Sequence, residues 1–323
     1  MRYKWNYQDE LAQYEEEYQP VARPRRRART SRAEVVARLV EQRDDARQGF
    51  DPSFGSKSAE KFNVSRHERE WIVLYLSSFY EDHYITDVLK PVKGGKEATV
   101  YCCTAGPQMG VELLAAKLYR PRMFRNLRND SLYRMGRTVL GDDGKRIRNR
   151  REALAMAKKT RFGQDLRHMN WLSNEVSALE TLHDAGADVP RIFASNENAI
   201  LMEFVGDADW PAPTLASVSL SKGEARTLFE RVLHNVELML EHSRVHGDLS
   251  AHNILYLDGD ITLIDFPQVV DPDVNPYARA IFGRDVLRIC QYFERFGAGY
   301  DPARLADSLW VKHRPLDNGE MGA

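Results

Sequence analysis

Two neighbouring polar segments constrain the fold of this chain more than any other feature. Residues 246–253 read HGDLSAHN, and residues 264–268 read IDFPQ. Asp248 precedes Asn253 by five residues, a spacing at which the carboxylate can take a proton from a hydroxyl group while the amide holds a magnesium ion. Asp265 can then connect the metal to the β- and γ-phosphates of ATP. The pattern predicts a phosphotransfer site with these three catalytic residues.

An apolar hairpin is expected between the two segments. Residues 254–256 and 261–264 are β-prone and flank a turn signal, Asp-Gly-Asp at residues 258–260. Asn253 and Asp265 then lie at the two ends of one hairpin, where they can converge. A single aspartate in a loop is more often a turn former or a helix cap, and H-G-D alone is a weak motif. The complete pattern is much harder to reach by chance, which favours the catalytic interpretation.

A kinase-type site also needs a lysine on a strand and a partner acid on a helix, and both occur upstream. Lys117 lies inside the apolar run Leu113–Tyr119, where a charged amine is costly unless it meets negative charge, such as ATP phosphates and a carboxylate. Glu175 borders an apolar stripe at positions 172, 176, 179 and 182, whose spacing predicts a helix. Glu180 is the main competitor for this role, and a Glu175 that faces only solvent is the other alternative.

A glycine pair precedes the lysine strand. Gly94 and Gly95 lie between two β-prone stretches, residues 85–92 and 99–104, and they let the backbone turn tightly and approach a phosphate closely. When the kinase pattern G-x-G-x-x-G-x-V is aligned on Val100, only Gly95 of its glycines is kept. A plain glycine-rich hairpin turn is therefore an open alternative.

Together, these segments resemble the RIO family of atypical protein kinases over about residues 66–300. The matching segments are GGKEA at 94–98 for the phosphate loop, AAK at 115–117 for the strand lysine, Glu175 for the helix acid, LMEFVG at 201–206 for the hinge, residues 246–253 for the catalytic loop, residues 264–268 for the metal loop and RDV at 284–286 for the following helix. The resemblance implies ATP-dependent serine/threonine phosphorylation, including autophosphorylation, or an ATPase-driven switch.

The family's fold is an α+β, two-lobed protein-kinase-like fold without the long activation segment of ordinary protein kinases. No A-P-E follows Asp265 in the remaining 58 residues, in agreement with this. We expect residues 1–64 to form a charged, partly disordered extension with one helix. Residues 65–205 are expected to form a β-rich N-lobe with a flexible basic loop at about 121–160, and residues 206–323 a reduced helical C-lobe.

The implied cofactors are ATP and Mg²⁺ or Mn²⁺, with Asn253 and Asp265 as metal ligands. Adenine is expected to bind the hinge backbone at Glu203 and Val205, and Asp285 is expected to brace the catalytic loop through backbone hydrogen bonds. The other candidate nucleotide contacts rest on motif order, because an apolar strand residue is core by default. They are Gly94, Gly95, Lys96, Glu97, Ala98, Val100, Ala115, Lys117, Glu175, Met202, Leu255 and Ile264.

Composition and charge agree with a soluble enzyme and limit its partners. The chain has 323 residues, of which 43% are hydrophobic, and a net charge of −1, so any affinity for RNA or an acidic partner must come from local clusters. Residues 23–29 read RPRRRAR, and residues 121–151 contain ten Arg or Lys against three Asp. A solvated tail and a mobile connector are the simpler interpretations of these two clusters.

The remaining features indicate a cytoplasmic protein. The longest apolar run, residues 71–76, is far shorter than the roughly 18 residues of a membrane helix, so no membrane partner is expected. Cys102, Cys103 and Cys290 lack metal-ligand spacing and are expected to be buried apolar residues. Capping-box spacings predict helices at about 32–48 and 66–83, with a linker at 49–63. No obvious winged helix precedes the kinase-like region.

Two other function classes stay open at this point. Small-molecule kinases of the aminoglycoside or choline type share H-G-D, the spacing to Asn and I-D-F, but they usually have a longer helical C-terminal region. A non-catalytic kinase-fold binding module is the second alternative. The intact set of Lys117, Asp248, Asn253 and Asp265 argues against it. The sequence does not predict the physiological substrate.

Overall fold

The computed structural model describes residues 66–95, 98–119, 161–207, 209–297 and 299–314. These residues divide into two compact units. The first unit contains residues 66–94 and 99–118, and the second contains the other described residues. Both units mix helices and antiparallel strands, so the fold class is α+β, as predicted.

The first unit is a helix followed by an antiparallel sheet. Helix α1 (Arg66–Glu81) begins directly after the predicted cap at Ser65, and strands β1 (Ile85–Gly94), β2 (Ala98–Ala105) and β3 (Leu113–Tyr119) follow, with β2 between the other two. The buried face of α1 consists of Ile72, Leu76 and Phe79. Trp71, Leu74 and Tyr75 of the same helix are half-buried.

The second unit is mainly helical. Its elements are α2 (Arg161–Asp184), β4 (Ile192–Ser195), β5 (Ala199–Glu203), a 3-10 turn (Leu215–Ser217), α3 (Lys222–Glu241), a second 3-10 turn (Ala251–Asn253), β6 (Ile254–Leu257), β7 (Asp260–Leu263), α4 (Ala278–Glu294) and α5 (Pro302–His313). Strands β4 and β5 form an antiparallel pair, and β6 and β7 form another.

Capped helix starts and an aromatic core define the frame of this unit. Ser221 and Glu224 form a complete capping box at the start of α3, and Asp301 caps α5 directly before Pro302. Phe229 of α3 packs edge-on against Phe293 of α4, with ring centroids 5.2 Å apart. This ring contact packs α4 against α3. Helix α4 also carries the polar residues that contact the catalytic loop.

The remaining sequence predictions concern the cysteines, membrane-spanning helices and segments outside the described residues. All three cysteines are free and buried, as expected, and burial raises the pKa of the Cys290 thiol to about 11. Within the described part of the chain, no helix has the length and apolar character needed to cross a membrane. The predicted helix at 32–48, the linker at 49–63 and the basic clusters at 23–29 and 121–151 lie outside the described residues.

Candidate active site

The hairpin between the two polar motifs forms as the sequence predicts. Strands β6 and β7 pair from Ile254 opposite Leu263 to Leu257 opposite Asp260. Asp258 and Gly259 make the two-residue turn with φ of 50° and 94°, the positive values that a type I′ hairpin turn requires. At the open end, the amide of Ile264 donates to the carbonyl of Asn253 at 2.9 Å. Asp265 therefore follows a residue that is hydrogen-bonded to Asn253.

The side chain of Asn253 is buried and held by Asp248. Its Nδ2 atom donates to the Asp248 carbonyl at 2.9 Å and to Asp248 Oδ2 at 3.3 Å. An amide that donates through its nitrogen presents its oxygen elsewhere, so Oδ1 of Asn253 is the atom that can act as a metal ligand. The same contacts bring the proposed proton acceptor and the proposed metal ligand together.

Asp265 adopts an unusual backbone conformation. It is a half-buried residue with φ of 73°, in the left-handed region that residues other than glycine seldom occupy. Such a conformation costs about 1–3 kcal/mol and concentrates at functional sites, where the surrounding structure holds it in place. The fold therefore holds the Asp265 backbone in one orientation in spite of this cost, as expected for a functional residue.

Gly247 is required by the close approach of the two loops. Its φ is 83°, and a Cβ atom at this position would lie 2.3 Å from the carbonyl oxygen of Gln268 in the metal loop. The Gly247 amide donates to Oδ2 of Asp285 at 2.8 Å, and Arg284 donates to the Gly247 carbonyl. Helix α4 thus holds both sides of this residue. The expected brace by Asp285 is present in this geometry.

Asp285 is buried and its pKa is raised to about 7. Burial is the main cause, and it outweighs the nearby charge of Arg284 and the hydrogen bond from Gly247, both of which favour the ionised form. Oδ1 of Asp285 has no hydrogen-bond partner among the described residues, although an Arg284 nitrogen lies 3.7 Å away. A carboxylate in such a setting is only partly ionised near neutral pH.

His246 is a neutral structural residue. Burial lowers its pKa to about 4, against the opposing charges of Asp265 and Asp248. Its Nδ1 accepts from the Asp248 amide at 3.3 Å, so Nε2 carries the proton and donates to the Ile264 carbonyl at 3.2 Å. The ring also packs on Phe266 with centroids 4.3 Å apart. His246 therefore connects the catalytic loop to the metal loop.

The Asp248 carboxylate has an arginine partner that the sequence did not suggest. Nη1 of Arg288, on α4, donates to Asp248 Oδ1 at 2.6 Å. Both side chains are 39% exposed, so the pair lies at the protein surface. The partners are separated by 40 residues, and only the fold brings them together.

The lysine and the acid of the upstream motif are both buried. Lys117 in β3 is 8% exposed and belongs to the first unit, and Glu175 in α2 is 1% exposed and belongs to the second. Glu175 accepts a hydrogen bond from the Tyr119 hydroxyl, a partner that the sequence analysis missed. A buried carboxylate and a buried amine both need compensating charge or hydrogen bonds. Their mutual pairing stays a prediction.

The glycine pair forms the tip of a hairpin. Strand β1 ends at Gly94, β2 begins at Ala98, and the Gly95 amide donates to the Ala98 carbonyl at 2.8 Å. The loop is thus closed by its own backbone, as a tight turn requires. Lys96 and Glu97 lie outside the described residues.

The hinge backbone presents a specific set of groups. The Glu203 amide donates to the Arg191 carbonyl, and the Val205 carbonyl accepts from the Ala212 amide. The complementary groups, the Glu203 carbonyl and the Val205 amide, are therefore the ones that could meet an adenine edge. Met202 and Ala115 are buried, whereas Val100, Leu255 and Ile264 are half-buried.

The donor atoms at the hairpin end suit a hard divalent cation. Asn253 and Asp265 offer oxygen atoms, which Mg²⁺ and Mn²⁺ prefer. Among the residues that the structure describes, no group of three or more His, Cys, Asp or Glu could hold a metal by itself. Kinase metal sites commonly use one or two protein ligands and complete the shell with phosphates and water, so this donor set fits that type of site.

Comparisons with known proteins identify the family of this chain. The RIO domain matches residues 131–305, more than half of the chain. RIO-type serine/threonine-protein kinase Rio1 of Haloferax volcanii is 30% identical over 269 residues, which are 82% of each protein. Serine/threonine-protein kinase RIO1 of Homo sapiens is 33% identical over 39% of this chain and 22% of its own length. The crystal structure of the Rio2 kinase from Chaetomium thermophilum aligns with a TM-score of 0.49 and 20% identity over 81% of each chain. From the domain match and the Haloferax relative, this chain belongs to the RIO family of serine/threonine-protein kinases.

Proposed function

We propose that this chain transfers the γ-phosphoryl group of ATP to a serine or threonine hydroxyl of a protein, including its own chain. The proposal rests on the hydrogen bond from Asn253 Nδ2 to the backbone carbonyl of Asp248, at 2.9 Å. This contact lies beside the end of the hairpin, which Asp265 follows directly. A proton acceptor, an amide oxygen and a second carboxylate in this arrangement are what phosphoryl transfer from a metal nucleotide requires.

Each residue of the site has a distinct task in this proposal. Asp248 orients the acceptor hydroxyl and takes its proton, while Oδ1 of Asn253 and the Asp265 carboxylate hold the metal. When bound, magnesium or manganese neutralises charge on the β- and γ-phosphates. Lys117 positions the α- and β-phosphates, and Glu175 orients Lys117. His246 and Asp285 act indirectly, because they hold the loops that carry these groups.

The nucleotide site is proposed from the same motifs. The Gly95–Ala98 turn covers the phosphates, and the adenine contacts the Glu203 carbonyl and the Val205 amide. Apolar side chains at positions 100, 115, 202, 255 and 264 line the base. This proposal is supported by the closed turn at Gly95 and by the two hinge groups that are complementary to those already hydrogen-bonded.

Family membership does not favour the two alternative functions, a small-molecule kinase and a non-catalytic binding module. A small-molecule kinase would share the catalytic loop, but the RIO domain match covers the loop, the hinge and the metal segment together. A binding module without catalysis has no physical need for a strained Asp265 or for an Asp248 held by two partners. A serine/threonine-protein kinase accounts for all of these observations.

Incubation with labelled ATP and magnesium tests the proposal. The full chain is incubated alone, with a generic protein, and with amino-alcohol and aminoglycoside acceptors. We expect label in acid-stable, base-labile phosphoserine or phosphothreonine of a protein. Label found only in the small acceptors, or in none of the mixtures, would refute the proposed function.

Removal of the metal carboxylate is the second test. We expect Asp265→Ala to abolish the magnesium-dependent part of the ATP affinity, because one of the two proposed protein ligands is lost. The measurement is calorimetric ATP binding with magnesium and with EDTA. Asp307→Ala on α5 is the control, since Asp307 is exposed and its ion pair within the described part of the chain is with Arg279. An unchanged affinity of Asp265→Ala in magnesium would remove Asp265 from the metal site.

The basic clusters can be tested separately. If residues 121–151 bind an RNA or another polyanion, Ala at Arg146, Arg148, Arg150 and Arg151 together should weaken the binding and flatten its salt dependence. Basal ATP hydrolysis should stay the same. A filter-binding titration at two salt concentrations measures this, and no RNA affinity in the wild type would leave the segment a solvated connector.

A further inference from the structure

Helix α4 contacts the catalytic loop through three polar residues on one side. Arg284, Asp285 and Arg288 are spaced so that the first and third lie four residues apart, which places them one turn apart on the same face. Arg284 and Asp285 bind the carbonyl and the amide of Gly247. Arg288 binds the side chain of the next residue, Asp248. The helix therefore holds the backbone and the carboxylate of the loop at once.

The arginine supplies a cation that the loop itself lacks. Residues 246–253 contain no lysine or arginine, whereas the usual protein-kinase sequence H-R-D has an arginine directly before the aspartate. Gly247 occupies that position, and a side chain there would collide with Gln268. The positive charge beside Asp248 comes from Arg288 on α4, at an Nη1 to Oδ1 distance of 2.6 Å.

This contact contributes little to folding. Both side chains are 39% exposed, and an ion pair at such a surface typically adds little to stability. The two carboxylate oxygens are held unequally, with Oδ1 close to Arg288 and Oδ2 at 3.3 Å from the Asn253 amide. A short charged bond on one oxygen fixes the rotamer of the whole group and leaves the other oxygen as the better proton acceptor.

We infer that Arg288 is a positioning residue for phosphoryl transfer, which holds Asp248 through Oδ1 so that Oδ2 meets the acceptor hydroxyl. This inference rests on the proposed kinase function. In the step, the acceptor oxygen bonds to the γ-phosphorus as the bond to the β-phosphate oxygen breaks, and the hydroxyl proton passes to Oδ2. Arg288 exchanges no atom with the substrate. Its effect is on the orientation of Asp248.

Single-turnover autophosphorylation of Arg288 variants tests the inference. We expect Arg288→Gln to slow transfer on the order of 10- to 100-fold, the usual effect of a misplaced catalytic group. ATP affinity by calorimetry should change by less than about twofold, because the nucleotide is held by other residues. Arg288→Lys should recover part of the rate, since it restores the charge but not the planar geometry. Arg279→Gln, on the same helix and paired with Asp307, should match the wild type.

A double variant separates positioning from a general structural effect. If Arg288 acts through Asp248, Arg288→Gln should add less than about a twofold loss to Asp248→Asn, because the two residues then act as one unit. An added loss as large as that seen in the wild-type background would overturn the inference, and so would wild-type transfer by Arg288→Gln. No transfer by the wild type itself would instead overturn the proposed function.

Discussion

Gly247 shows how one residue sets the spacing between the catalytic and metal loops. We expect Gly247→Ala to lower the free energy of unfolding by about 2–4 kcal/mol, because it adds left-handed backbone strain and a clash with Gln268. Urea unfolding measures this. Gly223→Ala is the matched control, since nothing lies within 4 Å of a Cβ atom there, and it should be neutral or slightly stabilising. Equal stability of the two variants would contradict this role of Gly247.

Asp285 makes stability depend on pH in a defined direction. Its folded pKa of about 7 lies above the ordinary 3.8, so the stability that its protonated form contributes is lost as the pH rises from about 4 to about 7. His246 has the opposite sign, because its folded pKa of about 4 lies below 6.5, and its contribution is lost as the pH falls through that range. His246 is present in both the wild type and an Asp285 variant. The difference between their free energies of unfolding therefore reports the titration of Asp285.

We therefore expect Asp285→Asn to gain stability relative to the wild type as the pH is raised from 5 to about 7, with no further gain above that range. Urea midpoints at several pH values give this difference directly. A difference that stays constant between pH 5 and 8 would show that Asp285 is ionised throughout.

Sequence analysis identified some of these residues and not others for a physical reason. Asp248, Asn253 and Asp265 lie in short local patterns, and the Asp-Gly turn that brings two of them together is itself a local signal. Arg288 and Tyr119 carry no such signal. Their partners lie 40 and 56 residues away in the sequence, so only the packing of helices against loops reveals the contacts.

At the scale of elements, Arg231 of α3 fixes the catalytic hairpin. Its Nε and Nη2 donate to the Asp188 carboxylate at 2.8 and 2.7 Å, and its Nη1 binds Asp260, the first residue of β7. Asp188 also binds Asn235, and its carbonyl accepts from the Leu263 amide at 2.7 Å. Helix α3 thus holds both ends of β7.

We expect Arg231→Ala to lower the free energy of unfolding by about 1–2 kcal/mol, a value reduced because the arginine is about one-third exposed. Arg226→Ala is the control, because its ion pair with Glu230 is mostly exposed, and it should have almost no effect. Urea unfolding at pH 7 distinguishes the two. Similar losses in both variants would contradict the assigned role of Arg231.

The stability that this Arg231–Asp188 network contributes depends on pH. Burial alone would raise the pKa of Asp188, but hydrogen bonds from Arg231 and Asn235 together hold it below the ordinary 3.8. The stability from this carboxylate is therefore complete above about pH 5 and is lost as the pH falls through the depressed pKa. The cost of Arg231→Ala should shrink in acid.

Local pattern predicted most of the elements, because caps and turns are encoded within a few residues. Helix α1 starts at Arg66, close to the predicted position, and the Asp258-Gly259 turn joins β6 and β7 in the expected register. The buried face of α1 was less predictable. Large apolar residues occur on several sides of this helix, and the sheet against which it packs decides that Ile72 and Leu76 are buried and Trp71 is not.

At the scale of the whole molecule, the candidate site residues are divided between the two compact units. Lys117 and Gly94 belong to the first unit. The Gly95–Ala98 turn, the catalytic loop, the hinge and the metal loop belong to the second. The second unit contains the contacts among Asp248, Asn253, Arg288 and Gly247, so its interactions can order the proton acceptor without the nucleotide. This separation predicts that loss of Asp248 affects transfer rather than ATP binding.

The most direct test of the account is single-turnover phosphorylation by the wild type and by Asp248→Asn. Asparagine keeps the size of the side chain but cannot accept the proton, so we expect transfer to fall on the order of 10²- to 10⁴-fold while folding and ATP affinity stay nearly unchanged. The phosphorylated product should be stable to acid and labile to base, as expected for phosphoserine. Equal rates for the two proteins would contradict the central claim that Asp248 is the catalytic base.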